Sequence, residues 1–127
     1  MTEASARSVS LAIPPKPDYI VLARLALSAI CRLTPLQPDD VADLKLAVSE
    51  VATERLAGAP DGPVRLSFEL EDDRIVVDLH AGAAPGGSED ALARAIVEAT
   101  VDEVRYDEAS VRLVKLLPPE SPTTLEA

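Results

Sequence analysis

The sequence predicts an α+β two-layer sandwich: a mostly antiparallel or mixed sheet with helices on one face. The segment 64–71 alternates apolar and polar side chains, which is typical of a strand with one solvent-exposed face. Segments 20–33 and 39–57 carry apolar residues at the three- to four-residue spacing of buried helix stripes. The resulting order, β-α-α-β-β-α-β-β, favours two layers, because each layer buries the apolar face of the other.

The first half of the chain predicts one strand and two helices. Ser8 to Ile13 alternates as a short strand, and the prolines that follow predict a linker. Asp18 is placed to cap the first helix, and a second helix begins at Asp39 or Asp40. The predicted buried stripe of the first helix comprises Leu22, Leu25, Ala26, Ala29, Ile30 and Leu33. That of the second helix comprises Leu44, Ala47, Val48 and Val51.

The second half predicts two hairpins separated by a helix. The first hairpin turns at Asp72-Asp73, and residues 104–117 form the second around Asp107-Glu108. Ser88 is placed to cap the third helix after a loop over residues 81–87. Its predicted buried side comprises Leu92, Ala95, Ile96 and Ala99. The predicted organisation is a flexible segment 1–7, a single domain 8–117 and a disordered tail 118–127.

Composition narrows the class of protein. The chain has 127 residues, 12 Lys+Arg against 22 Asp+Glu, and a formal net charge of -10, which argues against binding nucleic acid. One cysteine excludes an internal disulfide framework and suits a reducing cytosol. With no apparent membrane span or signal peptide, we expect a soluble cytoplasmic protein. The charge is uneven, since residues 1–37 hold four basic and two acidic side chains.

Three segments resemble one protein family. Residues 43–53 (DLKLAVSEVAT) resemble the N-box helix of bacterial anti-sigma factors of the RsbW and SpoIIAB type, which are small serine kinases. Residues 13–28 are similar to that family's first strand end, linker and first helix, and residues 100–105 (TVDEVR) to the segment before its last hairpin. The resemblance covers about residues 8 to 117. It implies a histidine-kinase-like (GHKL) ATPase fold.

The resemblance also implies roles for two carboxylates of the second helix. Glu50 matches the family's general base, and Glu54 stands where the family has a magnesium-binding asparagine. Lying one turn apart, both project from one helix face and can hold a hard cation. Without a metal, Glu54 would repel a triphosphate. The alternative interpretation of the pair is a solvated acidic helix face.

The other nucleotide signatures depart from the family pattern. Residues 79–83 (LHAGA) lack the family's adenine-binding aspartate, and residues 88–92 (SEDAL) carry two carboxylates where the family has a glycine-rich loop. Gly82, Gly86 and Gly87 remain as candidates for contacts to nucleotide, although a Gly-Gly pair is also typical of a linker. The sequence therefore predicts that binding of Mg-ATP is weak or lost.

A basic stripe on the first helix is the candidate partner contact. Arg24, Ser28 and Arg32 follow at four-residue spacing, on the face opposite the predicted core stripe. Such a stripe on an acidic protein suits an acidic patch of a partner, and Arg24 matches a family arginine that contacts sigma factor and antagonist. The alternative is ordinary exposed arginines. His80 is interpreted as an edge histidine, and Cys31 as a small buried hydrophobe.

The predicted function is that of an anti-sigma factor, which sequesters an RNA polymerase sigma factor. A STAS-type anti-anti-sigma protein would release it, and the family resemblance implies a homodimer. No nucleic-acid or membrane partner is expected. The alternatives are an active ATP-dependent serine kinase with Glu50 as its base, and a fold relic serving another protein partner.

Overall fold

Three helices and five strands make up the described part of the chain, residues 7–58, 60–81 and 91–119 of a computed structural model. The elements are β1 (Arg7–Ile13), α1 (Ile20–Cys31), α2 (Pro38–Ala57), β2 (Val64–Leu70), β3 (Arg74–His80), α3 (Ala91–Thr100), β4 (Glu103–Tyr106) and β5 (Ser110–Leu116). A short 3-10 turn (Pro17–Tyr19) precedes α1. The predicted order of elements is confirmed.

The five strands form one antiparallel sheet in the order β1-β2-β3-β5-β4. The predicted alternation of β2 is confirmed, since its residues 64, 66, 68 and 70 are buried while its other side chains are exposed or half-buried. Ile13 pairs with Val64 and continues the buried face onto β1. The helices therefore cover one face of the sheet, as predicted for a two-layer sandwich.

Helix α2 packs as the sequence predicts. Pro38 occupies its first turn, Asp39 and Asp40 lie near its positive end, and the N–H of Gly58 closes its last turn on the carbonyl of Arg55. Its predicted buried stripe is confirmed and is extended by two further residues. The buried residues of α2 are Leu44, Ala47, Val48, Val51, Ala52 and Arg55.

The predicted buried stripe of α1 is wrong. Leu25 is 60% exposed and Leu33, just after the helix, is 68% exposed, whereas Ile30 alone among the six predicted residues is buried. The residues that α1 buries are Ile20, Ala23, Leu27, Ile30 and Cys31. Apolar residues occur all round this helix, so its spacing fits two stripes and the packing partner decides between them. The predicted Asp18 cap is also wrong, because α1 begins without a side-chain cap.

The predicted buried side of α3 is wrong for the same physical reason. Leu92 is exposed, Ile96 is half-buried, and the buried residues are Ala93, Val97 and Thr100. The helix is rotated by about one residue position relative to the prediction, which brings small alanine and threonine side chains inward. The predicted Ser88 cap lies outside the described residues.

Most of the predicted flexible segment 1–7 and of the predicted tail 118–127 lies outside the described residues, which exclude 1–6 and 120–127. Among the helices described, none is long and apolar enough to cross a membrane.

Candidate functional site

The acidic pair of α2 faces α3. Glu50 and Glu54 lie one helical turn apart, and both are partly buried. The Glu54 side chain is 16% exposed, and its Oε2 lies 3.6 Å from Nη2 of Arg94 on α3. Glu54 is therefore already paired with a cation supplied by this chain.

Arg94 also stacks on an aromatic ring of the sheet. Its guanidinium carbon lies 3.9 Å from the centroid of the Tyr106 ring on β4, which is the distance of a cation–π contact. Burial raises the pKa of the Tyr106 phenol; Glu54 acts in the same direction and Arg94 opposes it. Glu54, Arg94 and Tyr106 thus form one cluster, here called the α2–α3 clamp, that joins two helices to the sheet.

Two polar atoms of the clamp are buried without hydrogen-bond partners: Nε of Arg94 and the hydroxyl oxygen of Tyr106. Because an unpartnered buried donor is unfavourable, the surrounding contacts must outweigh this cost. The clamp is therefore held by charge and ring stacking rather than by a hydrogen-bond network.

Three residues of this site were missed in the sequence analysis: Arg94 and Tyr106 of the clamp, and Arg55 at the end of α2. Arg55 is 7% exposed, and its guanidinium donates to the carbonyl oxygens of Glu108 at 2.7 Å and Asp107 at 2.8 Å. These carbonyls lie in the β4–β5 turn, so Arg55 fixes the hairpin that carries Tyr106. The available signal was position: Arg55 follows Val51 by one turn on the buried stripe.

Most of the predicted nucleotide-loop residues, namely Gly82, Gly86, Gly87 and the segment 88–90, lie outside the described residues. Within the described ranges, no group of three or more His, Cys, Asp or Glu side chains could hold a metal ion. His80 is exposed at the end of β3, and Cys31 is buried, as expected. Burial raises the pKa of the Cys31 thiol.

The predicted partner residues border an exposed apolar strip. Arg24 and Arg32 are exposed and Ser28 is half-buried, so the basic side chains do point away from the core. Because the core takes the other stripe of α1, these arginines lie beside exposed leucine and valine side chains. The outer α1 face, as we name it, comprises Val21, Leu22, Arg24, Leu25, Arg32 and Leu33. Exposed apolar surface gathered in one place indicates a binding surface.

A groove of about 430 Å³ continues this surface beyond Leu33. It runs between the loop after α1, the β2–β3 turn and the chain after β5. Its lining residues are Arg7, Leu33, Pro35, Leu70, Glu71, Asp72, Asp73, Leu117, Pro118 and Pro119. Glu50 and Glu54 are not among them, so the groove is separate from the acidic pair.

The element order, the five-stranded antiparallel sheet and the three helices on one face match the histidine-kinase-like fold class that the sequence predicts. The described fold resembles the crystal structure of the RsbU and RsbW domains of a Mycobacterium tuberculosis protein. The TM-score is 0.70 at 16% identity, over 92% of this chain and 34% of that one. This likeness confirms the predicted fold.

Relatives in sequence then show the family. A serine-protein kinase RsbW of Bacillus licheniformis is 31% identical over 121 residues, 76% of each chain. The chain therefore belongs to the RsbW serine-protein kinase family. An RsbW of Listeria innocua is 33% identical over 73 residues, 54% of this chain and 46% of that relative, so the chain spans about half the length of this and similar relatives. No family model matches the chain.

Proposed function

We propose that this chain is an anti-sigma factor that acts by binding a sigma factor through the outer α1 face. The observation that carries the proposal is the exposed apolar strip of Leu22, Leu25 and Leu33 beside Arg24 and Arg32. Membership of the RsbW family supports the choice of partner. A STAS-type anti-anti-sigma protein would release the sigma factor by competing for this surface.

The two kinds of side chain on this face have different roles in binding. Apolar area removed from water supplies affinity at about 25 cal/mol per Å² before the costs of association. The arginines favour an acidic partner patch, although the chain as a whole carries a charge of -10. A standard interface of about 800 Å² per partner would need the outer α1 face and part of its surroundings, such as the groove beyond Leu33.

In this proposal magnesium-bound ATP binds weakly or not at all. The residues present do not fit a resident magnesium ion: Glu54 replaces the expected asparagine and is paired with Arg94, whereas Glu50 has no ion-pair partner among the described residues. An arginine cannot share a carboxylate with Mg²⁺ without electrostatic cost. We further propose, from family membership, that the protein is a cytoplasmic homodimer.

The test is direct binding of purified sigma factors. The sigma factors of the source organism, each produced recombinantly, are titrated into the chain without nucleotide. We expect one of them to bind, and Arg24→Glu to weaken its binding at least tenfold. Arg105→Glu is the matched control, since Arg105 is an exposed arginine on β4, away from α1. If no sigma factor binds, or if both variants bind like the unmodified chain, the proposed surface is wrong.

The alternative function is an active serine kinase that phosphorylates its antagonist. In its favour, the relatives are named serine-protein kinases and Glu50 occupies the expected place on α2. Calorimetric titration with Mg-ATP separates the two functions. Micromolar binding that is lost in Glu50→Ala would show the nucleotide site that a kinase requires, whereas no heat at millimolar nucleotide would exclude the kinase.

A further inference from the structure

The α2–α3 clamp supplies a cation beside Glu54, the residue that the family resemblance aligns with a magnesium ligand. We propose that Arg94 is a built-in counter-ion of Glu54, which links α2 to α3 so that the protein-binding state needs no magnesium-bound nucleotide. The inference deepens the proposed function and rests on it only where it concerns the protein partner.

The charge balance of Glu54 is the first step. A carboxylate that is 16% exposed has lost much of its hydration, so it requires a nearby positive charge. Nη2 of Arg94 is 3.6 Å away and is the cation paired with it among the described residues. The pair links α2 to α3 without any external ion.

The position of Arg94 is the second step. The central carbon of its guanidinium lies over the Tyr106 ring, 3.9 Å from the ring centroid. A planar, delocalised guanidinium stacks on a ring in a way that a lysine ammonium does not reproduce. Arg55 then fixes Tyr106 from the other side of its hairpin through the carbonyls of Asp107 and Glu108. The cation is therefore held in place.

The consequence for ligands follows from these contacts. An arginine can attract a phosphate, but this one is neutralised by Glu54, covered on one face by Tyr106 and only 30% exposed. A metal ion or phosphate group would have to break the Glu54–Arg94 pair before it could bind. Opening would give hydrogen-bond partners to Arg94 Nε and Tyr106 Oη, so the ion pair and the ring contact must outweigh that gain for the pair to stay closed.

The test measures the melting temperature of the full chain, alone, with millimolar Mg²⁺, and with Mg²⁺ plus a non-hydrolysable ATP analogue. For the unmodified chain we expect no shift with either addition. Arg94→Gln should melt about 4 °C lower and should gain a Mg²⁺-dependent rise, because Glu54 then lacks its cation and can share a metal ion with Glu50 one turn away. Arg94→Lys should keep the insensitivity to Mg²⁺, since its charge is retained, while losing part of the stability.

Arg112→Gln is the matched control, because it removes an arginine of the cross-strand pair with Asp78 on the open face of the sheet. It should melt close to the unmodified chain and should not respond to Mg²⁺. A rise in the unmodified chain with Mg²⁺ or the nucleotide analogue would overturn the proposal. So would an Arg94→Gln protein that matches the unmodified chain in both melting temperature and Mg²⁺ response.

If Arg94→Gln does not fold, Glu54→Gln decides instead. It removes the acid, so it should melt lower and stay insensitive to Mg²⁺; a melting temperature equal to that of the unmodified chain would refute the pairing. These measurements need no partner, so they stand even if no sigma factor binds. Conversely, sigma binding by a chain that also responds to Mg²⁺ would leave the proposed function intact and reject the clamp.

Discussion

The two sides of the helix layer differ in whether their charged and apolar side chains have partners within the protein. Towards α3, charges are matched inside the protein: Glu54 pairs with Arg94, and Arg55 binds backbone carbonyls. On the outer α1 face, apolar side chains are exposed and Arg24 and Arg32 have no ion-pair partner among the described residues. A surface with matched charges needs no ligand, whereas exposed apolar area with free cations favours a partner. The difference is why binding is assigned to α1.

The largest expected change in stability lies on the side of the helix layer towards α3, at Arg55. Arg55→Ala should lower the free energy of unfolding by about 3 kcal/mol, because the carbonyls of the β4–β5 turn lose a charged donor and the buried space of the Arg55 side chain is emptied. Urea denaturation followed by circular dichroism measures this. Arg55→Lys is the control and should recover only part of the loss, since one ammonium cannot reach the acceptors as a planar fork does. An Arg55→Ala protein of unchanged stability would show that the turn does not depend on α2.

On the outer α1 face, the expected effect is on the affinity for sigma factor. Leu25→Asp should weaken sigma binding by about 2 kcal/mol, because a charge would be buried at the centre of the proposed interface. The free energy of unfolding should change by no more than about 0.5 kcal/mol, since Leu25 is 60% exposed in the free chain. Titration calorimetry and urea denaturation of the same protein separate the two quantities. A loss of folding without a loss of affinity would contradict the comparison.

Glu54→Gln should lower the free energy of unfolding by about 1 kcal/mol, which is typical of a partly sheltered ion pair. A double-mutant cycle with Arg94→Gln measures how much of this comes from the pair itself. The loss in the double variant should be smaller than the summed losses of the single variants. Strict additivity would mean that the two side chains do not interact.

Tyr106 gives the pH dependence. Because the pKa of its phenol is raised in the folded state, folding retains a proton that the unfolded chain releases above about pH 10. Stability is therefore unaffected below that pH and falls as pH rises towards the folded-state pKa. Tyr106→Phe should reduce this fall and change stability at pH 7 by no more than about 0.5 kcal/mol. Burial also raises the pKa of the Cys31 thiol, which acts in the same direction, so the difference between variants is the quantity to measure.

The smallest change in the free energy of unfolding is expected at the ion pair that is the shortest among the described residues. Arg112 Nε lies 2.7 Å from Asp78 Oδ1, but the Arg112 side chain is 53% exposed. Water and salt screen such a pair, so Arg112→Gln should cost about 0.5 kcal/mol at most. If Arg112→Gln lowers the free energy of unfolding more than Glu54→Gln does, then the distance between the charges, rather than their burial, determines how much each ion pair stabilises this protein.

The prediction of buried faces succeeded where a helix or strand has one apolar side. In α2, charged and polar residues occupy the remaining directions, so its stripe could be identified from spacing alone. Within α1, Arg24 and Ser28 are the two polar residues among twelve, and the spacing therefore fits more than one stripe. Nothing in the local sequence chooses between those stripes.

The sequence alone determines the order of the elements, the two-layer class and the family, and it identifies the acidic pair of Glu50 and Glu54. Local periodicity and motif spacing encode these features. Only the tertiary structure decides which stripe of α1 faces out, that Arg55 is buried, and that Arg94 neutralises Glu54 over Tyr106. These depend on contacts between residues far apart in the chain, such as Arg55 and Glu108, 53 positions away. Packing, rather than any local pattern, thus determines which surface remains for a partner.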